Sequence, residues 1–279
     1  MNTRAIWNLF RILAVALLIA VLVGLGWRVT LLRDPAYQGK SLSVWLRQFE
    51  EAKFNGLTSR YHLSPMEFKA QFVEPTQNAV RHIGTNALPT LLNLVQAKDT
   101  PLNWRAMDLL ERLHLGRWKP APETVRRSMA LDGFIFLGAR ARPAVPALIE
   151  LLNDKDGDVR SRAASCLGFI GPAAVEAVPA LLRHLTDPDP LVCDSSETSL
   201  GLIHGRPELV IPALTERLRR KDKWHTLSAL GWFGPDAKAA VHVILPLLND
   251  GDQETRNRAA IVLKRIDPEA AASAEAKSP

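Results

Sequence analysis

The chain has 279 residues, 47% of them hydrophobic, and a formal net charge of +6. This apolar content is ample for packed helices, while two cysteines, Cys166 and Cys193, exclude a disulfide framework. The basic residues are scattered along the chain. The mild positive charge therefore permits contact with nucleic acid or a membrane surface without indicating either.

An uncharged apolar run at residues 12–27 dominates the amino terminus. With its flanks, residues 7–32, it is long enough to span a bilayer if the arginines at its ends extend towards the headgroups. Trp7 and Trp27 lie where interfacial aromatic side chains are common. We therefore predict one transmembrane helix, an uncleaved signal-anchor, within residues 1–33.

A cleaved signal peptide is the alternative for this segment, because Gly24, Leu25 and Gly26 could form a cleavage site, although Trp27 would then follow the cut. Basic residues are balanced on the two flanks, so they do not decide the orientation. A short basic start usually stays inside. We therefore expect a single-pass protein of a bacterial inner membrane, with the rest of the chain facing the periplasm or exterior.

Residues 34–75 are predicted to be a linker that contains amphipathic helices. Apolar residues at i, i+3, i+4 and i+7 from Leu42 predict a helix over residues 41–54, packed on the first repeat or lying at the lipid surface. Pro75 is expected to break the chain before a helix over residues 76–83.

A repeated pattern occupies most of the remaining chain. Five glycines each end one apolar helical pattern and open the next, at spacings of 54, 33, 34 and 29 residues: Gly84, Gly138, Gly171, Gly205 and Gly234. A period near 33 with two apolar helices per unit is typical of stacked helical hairpins. We predict an all-α fold, an α-solenoid over residues 76–267, followed by a flexible tail over residues 268–279.

Equivalent positions carry similar residues from unit to unit. Arg127, Arg160 and Arg256 each stand 11 residues before the end of a first helix, and Asp194 takes this position in the third copy. An aspartate caps the start of the helix and a glycine ends it, as at Gly171.

The segments DVRSRAASCLGFIG, residues 158–171, and AVPALLRHLTD, residues 177–187, carry the pattern most clearly. They resemble HEAT repeats in their short, phycobilisome-lyase-like form. The resemblance covers residues 76–267 and is strongest over residues 138–267. It implies an armadillo-like scaffold built for recognition, and it does not imply one particular activity.

No pattern in the sequence indicates catalysis. The seven histidines include no pair at i, i+3 or i, i+4, and the chain lacks the His-Glu pairs of HEAT-like di-iron hydroxylases, a Gly-rich phosphate loop and a C-x-x-C motif. We therefore predict that the protein is not an enzyme and has no catalytic residue, cofactor or metal site.

The interval between the first two repeat glycines breaks the rhythm and holds the best candidates for partner binding. There Trp118 stands between two cations, Arg117 and Lys119, in a loop-like segment. Loops on one face of a solenoid often bind ligands. The alternative is a packed insertion in which the tryptophan is buried.

Together these patterns predict a membrane-tethered HEAT-repeat scaffold that binds a protein partner through its solenoid surface. One alternative is a carrier or lyase-like protein that acts on a bound pigment or partner subunit. Another is a salt-sensitive binder of nucleic acid or anionic lipid. We do not expect nucleic acid as the partner, because a domain outside the cytoplasm would not meet DNA, and we infer no small-molecule substrate.

Overall fold

The computed structural model describes residues 34–57, 65–98, 123–219 and 223–276. This part of the chain is almost entirely helical. The predicted membrane segment, residues 1–33, lies outside the described residues. Among those described, only residues 157–184 are long and apolar enough to cross a membrane, and this stretch consists of two core helices joined by a turn.

A short antiparallel ribbon of β1 (Ala36–Tyr37) and β2 (Lys40–Ser41) leads into helix α1 (Leu42–Leu57). The other helices of the described residues are α2 (Pro65–Phe68), α3 (Glu74–Ile83), α4 (Leu88–Val95), α5 (Glu123–Leu137), α6 (Val145–Leu151), α7 (Gly157–Ile170), α8 (Val178–His184), α9 (Pro190–Ile203), α10 (Pro207–Arg217), α11 (Trp224–Phe233), α12 (Val241–Ile244), α13 (Gln253–Ile266) and α14 (Pro268–Glu275).

From α3 onwards these helices form consecutive hairpins, and the first helix of each hairpin packs on the first helix of the next. The first helices are α3, α5, α7, α9, α11 and α13. Leucines, isoleucines and alanines on their inner sides form one continuous core with the second helices. This arrangement confirms the predicted stack of helical hairpins.

Most of the first helices end at a residue with a positive φ angle, as predicted. Gly138, Gly171 and Gly234 have φ angles of +52°, +72° and +52°, which a residue without Cβ adopts at little cost. In the third copy the residue in this position is His204, with φ +51°, and not Gly205. The predicted alignment of that copy is therefore wrong by one residue.

Two other local predictions also differ from the structure. The expected break at Pro75 is absent, because a π-helical segment over Lys69–Val73 joins α2 to α3. Pro75 does stand in the first turn of the next helix, α3, where its missing N–H costs little. The predicted flexible tail begins instead with α14. Its first residue is a proline, and the side chain of Asp267 accepts a hydrogen bond from Ala270 N, which together start a helix.

Small residues allow the first helices of the middle repeats to approach closely. Gly168 in α7 and Gly201 in α9 occupy equivalent positions near the helix ends. A Cβ built at Gly168 would lie 2.9 Å from Cα of Ser199, and one built at Gly201 would lie 2.8 Å from Cα of Ala229. At these two glycines the backbones of neighbouring first helices therefore approach more closely than a side chain would allow.

A buried ion pair ties three successive hairpins together. Nε of Arg217 in α10 donates to Oε1 of Glu197 in α9 at 2.6 Å, and Nη1 of the same arginine donates to the carbonyl of Leu185 at 2.7 Å, beyond the end of α8. The hydroxyl of Thr226 in α11 also donates to Glu197. The carboxylate is 2% exposed, so its charge is balanced only by these partners.

Helix α1 lies on the outer side of α5. The rings of Phe49 and Phe136 meet edge to face, with centroids 5.3 Å apart. One turn further along α1, Nζ of Lys53 donates to Oδ2 of Asp132 at 3.2 Å and to Oγ of Ser128 at 3.4 Å. The predicted amphipathic helix of the linker therefore packs on the repeats.

The carboxyl groups of Glu50 and Asp132 also meet in this interface and share a hydrogen bond. Burial, followed by this hydrogen bond, raises the pKa of Asp132 to about 7, although Lys53 opposes the rise. Burial also acts to raise the pKa of Glu50, but hydrogen bonds with Asp132 and Lys53 outweigh it and lower that pKa. Docking of α1 therefore favours the protonated form of Asp132.

Replacing Glu197 with alanine should destabilise the chain by about 3–5 kcal/mol, because a buried guanidinium loses its counter-charge. Glu216→Ala is the matched control, since Glu216 in the same repeat pairs with Arg219 at an exposed site and should cost less than about 1 kcal/mol. Urea unfolding followed by circular dichroism measures both. Equal losses in the two variants would contradict the proposed role of the buried pair.

Docking of α1 should weaken as pH rises through about 7. The pKa of Asp132 is raised in the docked state, so its contribution is complete below its ordinary pKa of 3.8 and is lost above about 7. The lowered pKa of Glu50 acts only at acidic pH, and the raised pKa of Lys53 only at alkaline pH.

Hydrogen exchange over residues 42–57, corrected for its intrinsic pH dependence, measures this docking. We expect faster exchange at pH 8 than at pH 6, by up to roughly tenfold in total, with little further change at higher pH because Asp132 is then ionised in both states. Asp132→Asn, which keeps a neutral group of the same shape, should remove the difference. A wild-type protein whose corrected exchange is flat from pH 6 to 8 would refute the assignment.

Candidate protein-binding surface

The outer side of each first helix carries three residues spaced by four, at positions 2, 6 and 10 before the left-handed residue that ends it. We refer to these as the outer stripe. On α5 the outer stripe is Ser128, Asp132 and Phe136, and α1 covers it. The corresponding residues are Ser161, Ser165 and Phe169 on α7, Asp194, Thr198 and Leu202 on α9, and Trp224, Ser228 and Trp232 on α11.

The outer stripes of α7, α9 and α11 together make a surface that we call the open face. Its first row is apolar and consists of Phe169, Leu202 and Trp232. Phe169 and Leu202 are half-buried and Trp232 is 40% exposed. A Cβ built at Gly201 would lie 2.4 Å from Cε3 of Trp232. The indole therefore packs against the backbone of α9 at Gly201, where a larger residue would clash with it.

The second row of the open face bears hydroxyl groups and no charge. It consists of Ser165, Thr198 and Ser228. The Ser165 hydroxyl donates to the carbonyl of Ser161 at 3.0 Å, and the Ser228 hydroxyl donates to the carbonyl of Trp224 at 2.8 Å. Because these hydroxyls are satisfied within their own helices, an apolar partner can cover them without leaving an unpaired donor.

Charged groups border the open face at one end. The Nδ1 atom of His225 lies 3.6 Å from a carboxylate oxygen of Asp194, which joins α11 to α9. The guanidinium of Arg258 in α13 stacks on the ring of Trp224 with its carbon 4.4 Å from the centroid. This end of the face thus offers both a carboxylate and a cation beside an exposed aromatic ring.

The turns between hairpins form a different edge of the molecule. They are rich in aspartates that already pair with neighbouring side chains. Asp187 pairs with Arg160 at 2.6 Å and with His184 at 3.1 Å. Burial acts to raise the pKa of Asp187, but these partners and the backbone N–H of Asp189 outweigh it and lower that pKa to about 2. No cluster in the described residues groups three side chains able to hold a metal ion.

The arginines predicted at equivalent positions do hold these turns. Nη1 of Arg160 donates to the carbonyl of Asp154 at 2.9 Å, and Nη1 of Arg256 makes the same bond to Asp250 at 2.5 Å. Arg127 reaches across to Asp158 at 2.7 Å. These residues connect one repeat to the next and serve the fold.

The three residues singled out for binding from sequence, Arg117, Trp118 and Lys119, lie outside the described residues and stay a prediction. The open face was missed. Its sequence signal is a glycine followed at once by a bulky apolar residue near the end of a first helix, as in Gly168-Phe169, Gly201-Leu202 and Gly231-Trp232. The glycine faces the next helix, and the following residue faces outwards.

Several solved structures are similar in helical arrangement. An engineered protein is 20% identical, with 80% of this chain and 96% of that chain covered and a TM-score of 0.41. Importin beta, crystallised in an ammonium sulfate condition, is 18% identical over 81% of this chain, with a TM-score of 0.49, and the match spans 28% of its own length. A second engineered protein is 19% identical, with coverages of 82% and 71% and a TM-score of 0.40.

No curated protein sequence matches the chain. A family model for HEAT repeats does match it, over residues 119–201 and 145–229. These two overlapping matches contain α5 to α10, the hairpins whose outer stripes include most of the open face. The middle of this chain, residues 119–229, is therefore similar to HEAT repeats.

Proposed function

We propose that this chain is a membrane-tethered scaffold whose HEAT-repeat solenoid binds a protein partner. The open face is the observation that supports this function best. It places exposed or half-buried Phe169, Leu202 and Trp232 side by side on helices that pack rigidly against one another. Large apolar side chains that are adjacent on a surface mark interaction sites, and tryptophan is enriched among the residues that dominate binding energy.

The chemistry of the open face favours a protein over nucleic acid or anionic lipid. Its rows are apolar and hydroxyl-bearing, and its border carries the carboxylate of Asp194, the imidazole of His225 and the guanidinium of Arg258. A surface that binds phosphate groups would carry an excess of lysine and arginine. We propose binding without catalysis and without a cofactor, since the apolar row offers shape and no reactive group.

The membrane tether is the second part of the proposal and is supported by the sequence of residues 1–33. The start of the described chain is held close to the repeats. The carboxylate of Asp34 accepts a hydrogen bond from the backbone N–H of Ser43 at 3.2 Å, and α1 then docks on α5. A tether that ends at this point would keep the solenoid near the membrane surface.

A photo-crosslinking amino acid in place of Trp232 should give a covalent adduct with a protein that survives high salt. The same amino acid in place of Leu209 is the control, because Leu209 is 44% exposed on the second helix of a neighbouring repeat. Mass spectrometry identifies the adducts. Trp118→Ala, added to the chain that carries the crosslinker at position 232, tests the predicted loop site. This substitution should lower the yield of adduct if both surfaces bind one partner.

Adducts only with lipid or nucleic acid at position 232, or equal adducts at positions 232 and 209, would count against a specific protein-binding face. Adducts that disappear with Trp118→Ala and not with changes in the open face would move the site to the predicted loop.

The tether predicts the topology of the chain in bacterial cells. Alkaline phosphatase fused after residue 279 should be active and a green fluorescent protein in the same place should be dark, because the solenoid is expected outside the cytoplasm. Deletion of residues 1–33 should move the protein from the membrane to the soluble fraction. The intact mass of the mature chain distinguishes an anchor from a cleaved signal peptide, and a fluorescent fusion would overturn the proposed orientation.

A further inference from the structure

We infer that the open face binds an amphipathic helix of the partner, laid antiparallel along α9 as α1 is laid along α5. This inference rests on the protein-binding function proposed above and names the kind of segment that the partner contributes. The chain itself displays the binding mode, because α1 covers the outer stripe of α5 while the outer stripes of α7, α9 and α11 are left uncovered by it.

The contacts of α1 define what such a helix needs. Phe49 meets Phe136, and Lys53, four residues later, meets Asp132 and Ser128. Residue numbers rise along α1 while they fall along α5, so the two helices are antiparallel. An aromatic residue and a lysine at i and i+4 lie on one side of a helix. They match an outer stripe that is apolar at its carboxy-terminal end and offers carboxylate and hydroxyl acceptors before it.

The outer stripe of α9 carries the same three kinds of group, with the hydroxyl and the carboxylate exchanged. Leu202 stands where α5 has Phe136, Thr198 stands where α5 has Asp132, and Asp194 stands where α5 has Ser128. The carboxylate has moved by one helical turn and the hydroxyl has taken its place. A partner helix with an apolar residue over Leu202 would therefore place a basic residue four to eight positions later, near Asp194.

Neighbouring repeats extend the apolar contact on both sides of α9. Phe169 lies on one flank and the ring of Trp232 lies over Gly201 on the other. A partner helix would meet these apolar side chains with its own residues at i, i+3, i+4 and i+7, which lie on one face of a helix.

The probe for this inference is a fluorescent peptide with the sequence of α1, residues 42–57, added to the full-length chain. We expect saturable binding, followed by fluorescence anisotropy, that Leu202→Asp weakens at least tenfold. Leu209→Asp is the matched control, with the same substitution on the second helix of the same repeat, and should leave affinity unchanged. Thermal unfolding of both variants verifies that each remains folded.

A charge exchange tests the orientation. Changing the lysine of the peptide that corresponds to Lys53 to glutamate should weaken binding to the wild-type chain. Asp194→Lys in the chain should restore part of that loss, and a neutral Asp194→Asn should restore less. Crosslinks between the amino-terminal end of the peptide and the carboxy-terminal end of α9 would support the antiparallel direction.

Other outcomes would overturn the inference. No saturable binding, equal binding to Leu202→Asp and Leu209→Asp, or crosslinks to α5 that show exchange with the resident α1 would each exclude it. These results leave the proposed function standing if the crosslinker at position 232 still captures a specific protein. Loss of that capture as well would contradict the proposed protein-binding function.

Discussion

The close approach of neighbouring first helices is the constraint on which the rest of this structure depends. Gly168 and Gly201 face backbone atoms of the next helix at distances that no Cβ would allow. The bulky residue that follows each glycine lies about 100° further around its helix and therefore faces outwards. The side of each first helix next to the close contact thus carries the apolar row of Phe169, Leu202 and Trp232.

Helices that meet through small residues have few side chains to fix their register. The buried pair of Glu197 and Arg217 supplies that register, because its hydrogen bonds reach Thr226 on one side and the carbonyl of Leu185 on the other. A slip of one helix past another would leave a buried charge without a partner, which costs several kcal/mol. Apolar packing thus provides the driving force, and one polar cluster selects the arrangement.

The sequence predicted the stack of hairpins because its signals are local: glycine at the helix ends, an aspartate cap and an apolar period repeat in each unit. The predicted alignment of the third copy is wrong by one residue, because His204 adopts the left-handed conformation that was expected at Gly205. Pro75 was misjudged because its effect depends on a π-helical segment, which no local pattern indicated. The open face was missed because exposure depends on which helices are neighbours, and period alone does not give that.

The two ends of the outer surface differ, because α1 covers the outer stripe of α5 and does not cover those of α7, α9 and α11. This difference distinguishes one end of the solenoid from the other. Near the amino terminus α1 covers α5 with an interface whose burial raises the pKa of Asp132 to about 7. With roughly 10 Å between packed helices, α9 lies only about 20 Å further along the stack. A partner segment on α9 would therefore lie two first helices away from α1. The solenoid would then hold α1 and its partner on one continuous wall of helices, each seated on an outer stripe that combines an apolar residue, a hydroxyl and a carboxylate.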